Sequence, residues 1–244
     1  MVIELFGGSS PNVLKVVIAL EELELEYRHT KVDIINLKFE PEFRKVNPNS
    51  RIPAIIDQDG FGGKSFPLGE SGAILFYLAE KHGAFLPEAS ADRYTCMQWL
   101  MFQMSGIGPM FGQYVYFSRR VKDQPHGLER YTNEVLRLYD VVERRLAESR
   151  YLAGDEYSIA DMASFPPLRY VTITGLDRSA YPNMIRWMDE IAQRPAVVRA
   201  IEKSGQFDLD NHEGAAKMTP DQWDRAFLRG KYSRAHTLGV TPAP

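Results

Sequence analysis

The sequence contains the stretch Asn49-Ser50-Arg51-Ile52-Pro53-Ala54-Ile55, followed closely by Leu68-Gly69-Glu70-Ser71-Gly72-Ala73-Ile74. The first stretch predicts an apolar strand opened by a proline, and the second predicts a strand that runs into an apolar helix. Pro53 has no N–H group, which leaves the backbone of Ile52 free to pair with an extended ligand. A strand, a short hairpin and a helix in this order can hold a bound peptide.

The first residues of the predicted helix suit the charged end of an amino acid. Ser71 lies in the first turn, where its hydroxyl and the free backbone amides can bind a carboxylate. Glu70 lies beside it and could accept an ammonium group from the same ligand. The γ-glutamyl end of glutathione carries both charges. From these two residue types alone, an ordinary helix start without a ligand is an equally good interpretation.

Composition excludes several classes of protein. The chain of 244 residues has a net charge of −3 and a pI of about 6.0, which gives no basic surface for nucleic acid or anionic membrane. The sequence shows no leader pattern at its start and no apolar run of membrane-spanning length, so we expect a cytosolic protein. The single cysteine, Cys96, excludes a disulfide framework, a CxxC pair and a cysteine-based zinc site. We expect Cys96 to be a buried small hydrophobe, no metal to be bound, and any thiol chemistry to use a borrowed thiol.

Residues 1–83 predict a thioredoxin-like domain. Ser10 and Pro11 form a helix start, because serine is a good cap and proline suits the first helical position. The predicted elements are strand Val2–Phe6, a helix from Pro11, strand Tyr27–Val32, strand Ala54–Asp57, a strand around Ser65–Leu68 and helix Ser71–Lys81. The expected fold class is α/β plus all-α, with the order β-α-β-α-β-β-α in this first domain.

Residues 91–203 predict an all-helical second domain after a short linker. Gly106, Gly108 and Pro109 interrupt its first long apolar helix and predict a kink. Ser158 and Asp161 form a capping box before another apolar helix. Residues 204–244 form a polar and then basic tail, which either packs on the body or stays partly mobile. We expect the tail to fold back near the cleft and to restrict large substrates, the alternative being an extension without a role.

This arrangement resembles the cytosolic glutathione transferases from Met1 to about Lys203. Finer motifs resemble the bacterial Nu class and its fungal relatives: Ser10-Pro11-Asn12, the two stretches quoted above, and Gln98-Trp99-Leu100 with Gly108-Pro109-Met110-Phe111-Gly112-Gln113. The resemblance implies glutathione or glutathione disulfide as co-substrate, a second small-molecule substrate, disulfide-bond reductase activity, a homodimer and a cis bond before Pro53. Two residues depart from the class. Ser10 stands where threonine is usual, and Val13, where glycine is usual, could narrow the sulfur site.

The first helix start also suits a glutathione sulfur. A free thiol is mostly protonated at neutral pH, so a useful enzyme must stabilise the thiolate. The helix start supplies partial positive charge, and Ser10 Oγ or the Asn12 amide can donate a hydrogen bond to the sulfur. Neither side chain is a strong acid or base, which favours thiol–disulfide exchange. The alternative for both residues is a structural cap and a polar first-turn residue.

Other candidates are charged or aromatic. Lys38 and Arg51 could bind the glycine carboxylate of glutathione, although a surface charge is more often merely solvated. Arg130 matches an arginine that the Nu class uses near the bound peptide, and its alternative is a weak helix-surface ion pair. Aromatic side chains that could line the second substrate's pocket, or simply belong to the core, are Tyr114, Tyr116 and Phe117.

Three functions compete with disulfide reduction. The first is a conjugating transferase in which Ser9 or Ser10 activates the thiol, and the sequence does not choose between these serines. The second is a glutathione-dependent lyase or dehalogenase on the same scaffold. The third is a regulatory module that binds glutathione without turnover. The complete set Ser10, Asn12, Arg51, Ile52, Glu70 and Ser71 argues against the third.

Overall fold

The N-terminal part of the chain forms a four-stranded mixed sheet with helices packed on it. The computed structural model describes residues 3–33, 35–37, 40–88, 90–121, 123–169, 177–204 and 218–234. Its first elements are Ile3–Gly7 (β1), Pro11–Glu22 (α1), Tyr27–Lys31 (β2), Ala54–Asp57 (β3), Phe66–Gly69 (β4) and Ser71–His82 (α2). The strand order is β2-β1-β3-β4, in which only β1 and β2 are parallel neighbours. This is the expected thioredoxin-like arrangement.

The segment between β2 and β3 differs from the expected element order. The sequence predicted a helix in this position, but among the described residues of the segment only Leu37 and Phe43–Lys45 are helical, and these are in 3₁₀ conformation. Pro41 and Pro48 flank the turn at Phe43–Lys45. Because proline removes a donor and restricts the residue before it, the room between them suits one tight turn rather than a regular helix.

The second part of the chain is helical. Its elements are Ala91–Phe102 (α3), a π-helical segment Gln103–Ile107, Gly108–Arg119 (α4), Pro125–Glu148 (α5), Ile159–Leu168 (α6), Pro182–Ala192 (α7) and Pro195–Lys203 (α8). The π-helical segment lies where Gly106, Gly108 and Pro109 predicted a kink, since π-bulges and proline both disturb the regular hydrogen-bond ladder. None of the described helices is long and apolar enough to cross a membrane.

The Ser158 capping box is present and extends into the core. Ser158 N and Oγ donate to the Asp161 carboxylate at 3.0 and 2.9 Å. The same carboxylate accepts from Leu152 N at 2.9 Å and from Trp187 Nε1 at 2.8 Å. Burial raises the pKa of the Asp161 carboxyl, and these donors oppose the shift. One aspartate therefore ties the start of α6 to α7 and to the loop before it.

The tail contains a further helix, Pro220–Phe227 (α9), followed by a 3₁₀ turn at Gly230–Tyr232. Thr219 and Gln222 form a capping box at its start. The guanidinium of Arg225 hydrogen-bonds to Asn36 in the N-terminal domain, and the Phe227 ring lies 5.3 Å from that of Tyr116 on α4. The described tail therefore contacts both domains.

Lys15 is buried between the two domains. It lies on α1, is 1% exposed, and donates from Nζ to Gln103 Oε1 in the π-helical segment at 2.9 Å. Burial lowers the pKa of its ammonium from 10.5 to about 7, and the negative charge of Glu70 opposes that shift. A buried ammonium with one neutral acceptor destabilises the folded chain wherever it must stay charged.

We expect Lys15→Met to remove a pH-dependent loss of stability. The pKa of Lys15 is about 7 in the folded chain against 10.5 ordinarily, so the unfolded chain binds more protons between these values. The free energy of unfolding of the wild type should therefore rise with pH between about pH 7 and 10.5, by up to about 1.4 kcal/mol per pH unit relative to Lys15→Met. Below about pH 7 the lysine is charged in both states, and the whole cost of burying its ammonium remains.

Urea unfolding of both proteins at about pH 7 and about pH 10 measures this difference. Lys81→Met is the matched control, because Lys81 is half-buried and pairs with the Asp57 carboxylate at 2.6 Å. Parallel stability profiles for the wild type and Lys15→Met would show that the buried ammonium has no such cost.

Candidate functional site

A cavity of about 500 Å³ lies where the starts of α1 and α2, the residues before β3, the π-helical segment and the tail meet. It brings together candidates that are far apart in the sequence: Ser10, Asn12, Arg51, Ile52, Pro53, Glu70 and Ser71. Asn47, Asn49 and Ser50 also line it. The cavity therefore has a polar wall that is built from helix starts and the loop before β3.

The start of α1 gives this wall an anion-binding character. Ser10 Oγ accepts the backbone N–H of Val13 at 3.2 Å, which leaves its own hydroxyl proton available to an anion. Asn12 is exposed in the first turn of α1, and that turn contains no acidic residue. Ser9 is exposed and does not line the cavity, so the structure favours Ser10 of the two serines.

The loop before β3 is held by Asn47, which the sequence analysis missed. Asn47 is buried, and its Nδ2 donates to the Arg51 carbonyl at 2.7 Å while its Oδ1 accepts from Asn49 N at 3.0 Å. The peptide bond between Ile52 and Pro53 is cis, as the family resemblance implied. The turn-forming run Asn47-Pro48-Asn49 was the available signal, because asparagine commonly hydrogen-bonds the backbone two residues on.

Ser50 is a second residue that the sequence analysis did not select. It has a positive φ of 51° and a buried hydroxyl oxygen without a partner among the described residues. Because a buried polar atom usually finds a hydrogen bond, this hydroxyl at the cavity wall is available to a ligand.

Glu70 and Ser71 occupy the start of α2 as predicted. Glu70 has a φ of 65° and a ψ of 116°, which is rare for a residue other than glycine and is often found at functional sites. Its carboxylate accepts from Asn49 Nδ2 at 3.3 Å and remains exposed. Ser71 is 4% exposed, and its Oγ lies 3.9 Å from Met104 Sδ. The site thus offers a carboxylate for a cation beside a hydroxyl and helix-start amides for an anion.

The basic candidates are placed differently from one another. Arg51 lines the cavity, whereas Arg130 is exposed on α5 and does not line it. The arginine that α4 contributes to the wall is Arg120, which directly follows that helix. No local signal in the sequence marked Arg120 for this position. Lys38 lies outside the described residues.

The remaining candidates support the cavity rather than line it. Val13 is fully buried, and a Cβ built on Gly7 of β1 would lie 2.8 Å from Val13 Cγ1. The bulk of Val13 therefore fills the core, and Val13 does not line the cavity that it was expected to narrow. Tyr114, Tyr116 and Phe117 likewise do not line the cavity. Tyr116 instead contacts Phe227, which does.

The chain does not bring a thiol of its own to the site. Cys96 is fully buried, as expected, and burial raises the pKa of its thiol. The described residues include no cluster of histidine, cysteine and carboxylate side chains that could hold a metal ion. The cavity wall of this part of the chain contains no histidine, cysteine or tyrosine.

Comparison with known proteins gives matches to both parts of the chain. Residues 1–80 match the glutathione S-transferase N-terminal domain, and residues 109–195 match the glutathione S-transferase C-terminal domain. Disulfide-bond oxidoreductase YfcG of Escherichia coli is 42% identical over 205 residues, which are 83% of this chain and 95% of that protein.

Solved structures of similar proteins contain glutathione. A glutathione transferase family member from Pseudomonas fluorescens with two glutathione bound is 42% identical, with a TM-score of 0.76 over 82% of this chain and 92% of that one. A glutathione transferase from Pseudomonas putida with one glutathione disulfide bound per subunit is 40% identical, with a TM-score of 0.76 over 83% of this chain and 92% of that one.

Gly69 tests how tightly the polar wall is packed. A Cβ at Gly69 would lie 2.6 Å from Asn47 Cγ, so Gly69→Ala must displace the side chain that holds the Arg51 carbonyl. We expect a loss of about 1–3 kcal/mol in the free energy of unfolding.

Gly112→Ala is the matched control for this measurement. Gly112 lies within α4, and its added Cβ would meet nothing within 4 Å, so alanine there should stabilise the chain by about 0.5–1 kcal/mol. Urea unfolding of the two variants gives the signs directly, and equal effects would contradict the packing argument.

Proposed function

Because this chain belongs to the glutathione S-transferase family, we propose that it catalyses the glutathione-dependent reduction of disulfide bonds. The observation that carries the proposal is that one cavity joins an anion-stabilising helix start at Ser10 and Asn12 to a zwitterion-binding pair at Glu70 and Ser71. Neither Ser10 nor Asn12 is a strong acid or base, and the described wall contains no histidine, cysteine or tyrosine. Thiol–disulfide exchange needs only a positioned thiolate and an accessible disulfide sulfur.

In this proposal the polar wall holds glutathione at its γ-glutamyl end. The Glu70 carboxylate accepts the ligand's ammonium, and Ser71 Oγ with the first amides of α2 donates to its carboxylate. The backbone beside the cis Pro53 pairs with the extended peptide, and Arg51 attracts the glycine carboxylate. Ser50 Oγ gains the hydrogen bond that it lacks in the described residues. Lys38 and Arg130 remain predictions for the same ligand.

The start of α1 then stabilises the thiolate. The ligand's sulfur loses its proton to water, and the anion accepts from Asn12 or Ser10 while lying in the positive field of the helix start. The thiolate attacks one sulfur of a disulfide, a new mixed disulfide with glutathione forms, and the second thiolate leaves. A second glutathione cleaves the mixed disulfide, which yields glutathione disulfide and the second free thiol. Positioning and anion stabilisation are the protein's contributions.

A conjugating transferase is the second candidate function. Ser10 favours it, because a serine hydroxyl at a helix start can stabilise a thiolate that attacks an electrophile instead of a disulfide. The two functions differ in which side chain the sulfur depends on. Comparison of conjugation with disulfide reduction in the same variants separates them.

The homodimer and the cytosolic location that the resemblance implies are part of the same proposal. Large apolar side chains on the surface of the single chain support an association, with Tyr94 of α3 77% exposed and Phe61 before β4 70% exposed. Light scattering of the purified protein, and its distribution in fractionated cells, test these two points.

Replacement of Glu70 or Ser71 by alanine should weaken glutathione binding. Each loses a hydrogen bond to a charged ligand group, for which we expect about 1.5–3 kcal/mol. Titration calorimetry with glutathione measures the change. Glu40→Ala, which removes an exposed carboxylate outside the cavity, is the control. Unchanged affinity in both site variants would overturn the assignment of the pair.

The losses of activity in Asn12→Ala and Ser10→Ala, compared with each other, test which side chain serves the sulfur. If Asn12 supplies the main polar contact, Asn12→Ala should lower turnover in disulfide reduction by about 10²-fold, near the cost of losing one oxyanion donor. Glutathione affinity should change far less. Ser10→Ala should cost less, because the helix-start amides still serve the sulfur. An enzyme that loses activity with Ser10→Ala but keeps it with Asn12→Ala would instead be a serine-dependent transferase.

A further inference from the structure

The tail helix α9 contributes directly to the cavity that holds the polar wall. Ala226 and Phe227 on this helix, and Met218 shortly before it, line the cavity together with Ser10 and Asn12. The family matches end at residue 195, so this part of the wall lies beyond the region that defines the family. This portion of the cavity therefore lies outside the residues that the two family models match.

Contacts with both domains hold α9 in place. The Phe227 ring lies 4.5 Å from Trp223 on its own helix and 5.3 Å from Tyr116 on α4. On the other side, the guanidinium of Arg225 hydrogen-bonds to Asn36, and its Nε donates to Tyr232 Oη at 3.0 Å. A helix fixed from two sides can position side chains for a substrate.

The chemistry of this portion differs from that of the polar wall. Met218, Ala226 and Phe227 are apolar, and Leu37 and Met104 extend the apolar lining. Two arginines line the cavity: Arg51 in the polar wall, which the proposed function assigns to the glycine carboxylate, and Arg120 after α4, which no ion pair among the described residues includes. Apart from Glu70 in the glutathione grip, the described lining contains no carboxylate. An apolar surface with one unpaired guanidinium suits an apolar group that carries a carboxylate.

We propose that α9 and Arg120 form a second-substrate subsite for disulfides of apolar, carboxylate-bearing thiols, an inference that rests on the proposed disulfide reductase function. The glutathionyl half of the mixed disulfide lies on the polar wall. The other half packs its aryl or alkyl body on Phe227 and Met218, and Arg120 binds its carboxylate. Phe227 and Arg120 are the residues that determine specificity.

The reaction at this subsite uses glutathione as its only reductant. The bound thiolate attacks one sulfur of the disulfide, so that a glutathione–sulfur bond forms and the first carboxylate-bearing thiolate leaves and takes a proton from water. A second glutathione thiolate attacks the glutathionyl sulfur and releases the other thiol. Two glutathione molecules are oxidised to one glutathione disulfide, and one disulfide is reduced to two thiols.

Kinetics with matched disulfides test the subsite in the full-length protein. The probes are the disulfide of 4-mercaptophenylacetic acid, its methyl ester, and 2-hydroxyethyl disulfide. Arg120→Gln should lower kcat/KM for the acid by about tenfold and leave the ester nearly unchanged, because only the acid has a charge to bind. Phe227→Ala should lower kcat/KM for both aryl disulfides by about tenfold and spare 2-hydroxyethyl disulfide.

Two variants control for indirect effects. Arg119→Gln makes the same charge change one residue away and outside the cavity, and Phe61→Ala removes an exposed phenylalanine ring that does not line the cavity. Neither should reproduce the selective loss. If Arg120→Gln affects acid and ester equally, or Phe227→Ala leaves the ratio of aryl to hydroxyethyl substrate unchanged, the subsite is wrong.

Binding separates the failure of the subsite from the failure of the proposed function. S-(4-carboxybenzyl)glutathione should bind the wild type about tenfold more tightly than S-benzylglutathione, and Arg120→Gln should remove the difference. Equal binding of both conjugates by the wild type would overturn the subsite even if disulfides are reduced. A protein that reduces none of the disulfides but shows the predicted binding preference would retain the subsite and lose the proposed function.

Discussion

Burial of α1 between the sheet and the helical domain is the constraint on which the rest of the structure depends. Val13 to Leu20 are all buried, because α2 and the apolar residues of β1 pack on the helix within its own domain, and α6 and α8 of the helical domain pack on it as well. Ion pairs reinforce its end: Glu21 with Arg199 and Lys203, and Glu22 with Arg194. Since both domains pack on this helix, its first turn is fixed in space. The same packing therefore builds the core and places Ser10 and Asn12 at the cavity.

This constraint also explains why the polar wall can be assembled from separate elements. The start of α2 and the loop before β3 belong to the sheet domain, whereas Met104 and Arg120 come from the helical domain. The Lys15–Gln103 hydrogen bond crosses the boundary between them. A small shift of α1 would separate these groups. The site is consequently a property of the domain packing rather than of one loop.

The sequence predicted those features that local chemistry controls. The proline before β3 and the apolar run that follows it predicted a strand over Ala54–Asp57, and these bounds agree with the structure. The apolar runs, the glycines and the cap at Ser10 similarly located the strands and α1. The sequence did not predict those features that depend on tertiary contacts. Nothing local distinguishes Arg120 from Arg130, because only the packing of α4 and α5 decides which of them reaches the cavity. The tail helix α9 was not predicted, although Thr219 and Gln222 form a capping box at its start, and its place beside Tyr116 depends on tertiary packing.

The burial of Cys96 has a consequence for how such a protein relates to its surroundings. Many thiol oxidoreductases use their own cysteines, which stay oxidised or reduced after the reaction with the previous substrate. In the proposed chemistry no thiol of this polypeptide is oxidised or reduced, so the protein returns to the same covalent state after each turnover. Its response to the redox balance of its compartment would come only from which form of glutathione occupies the cavity. The ratio of free to oxidised glutathione in the compartment would then decide whether the catalysed exchange runs toward reduction or oxidation, and the protein would keep no record of earlier turnovers.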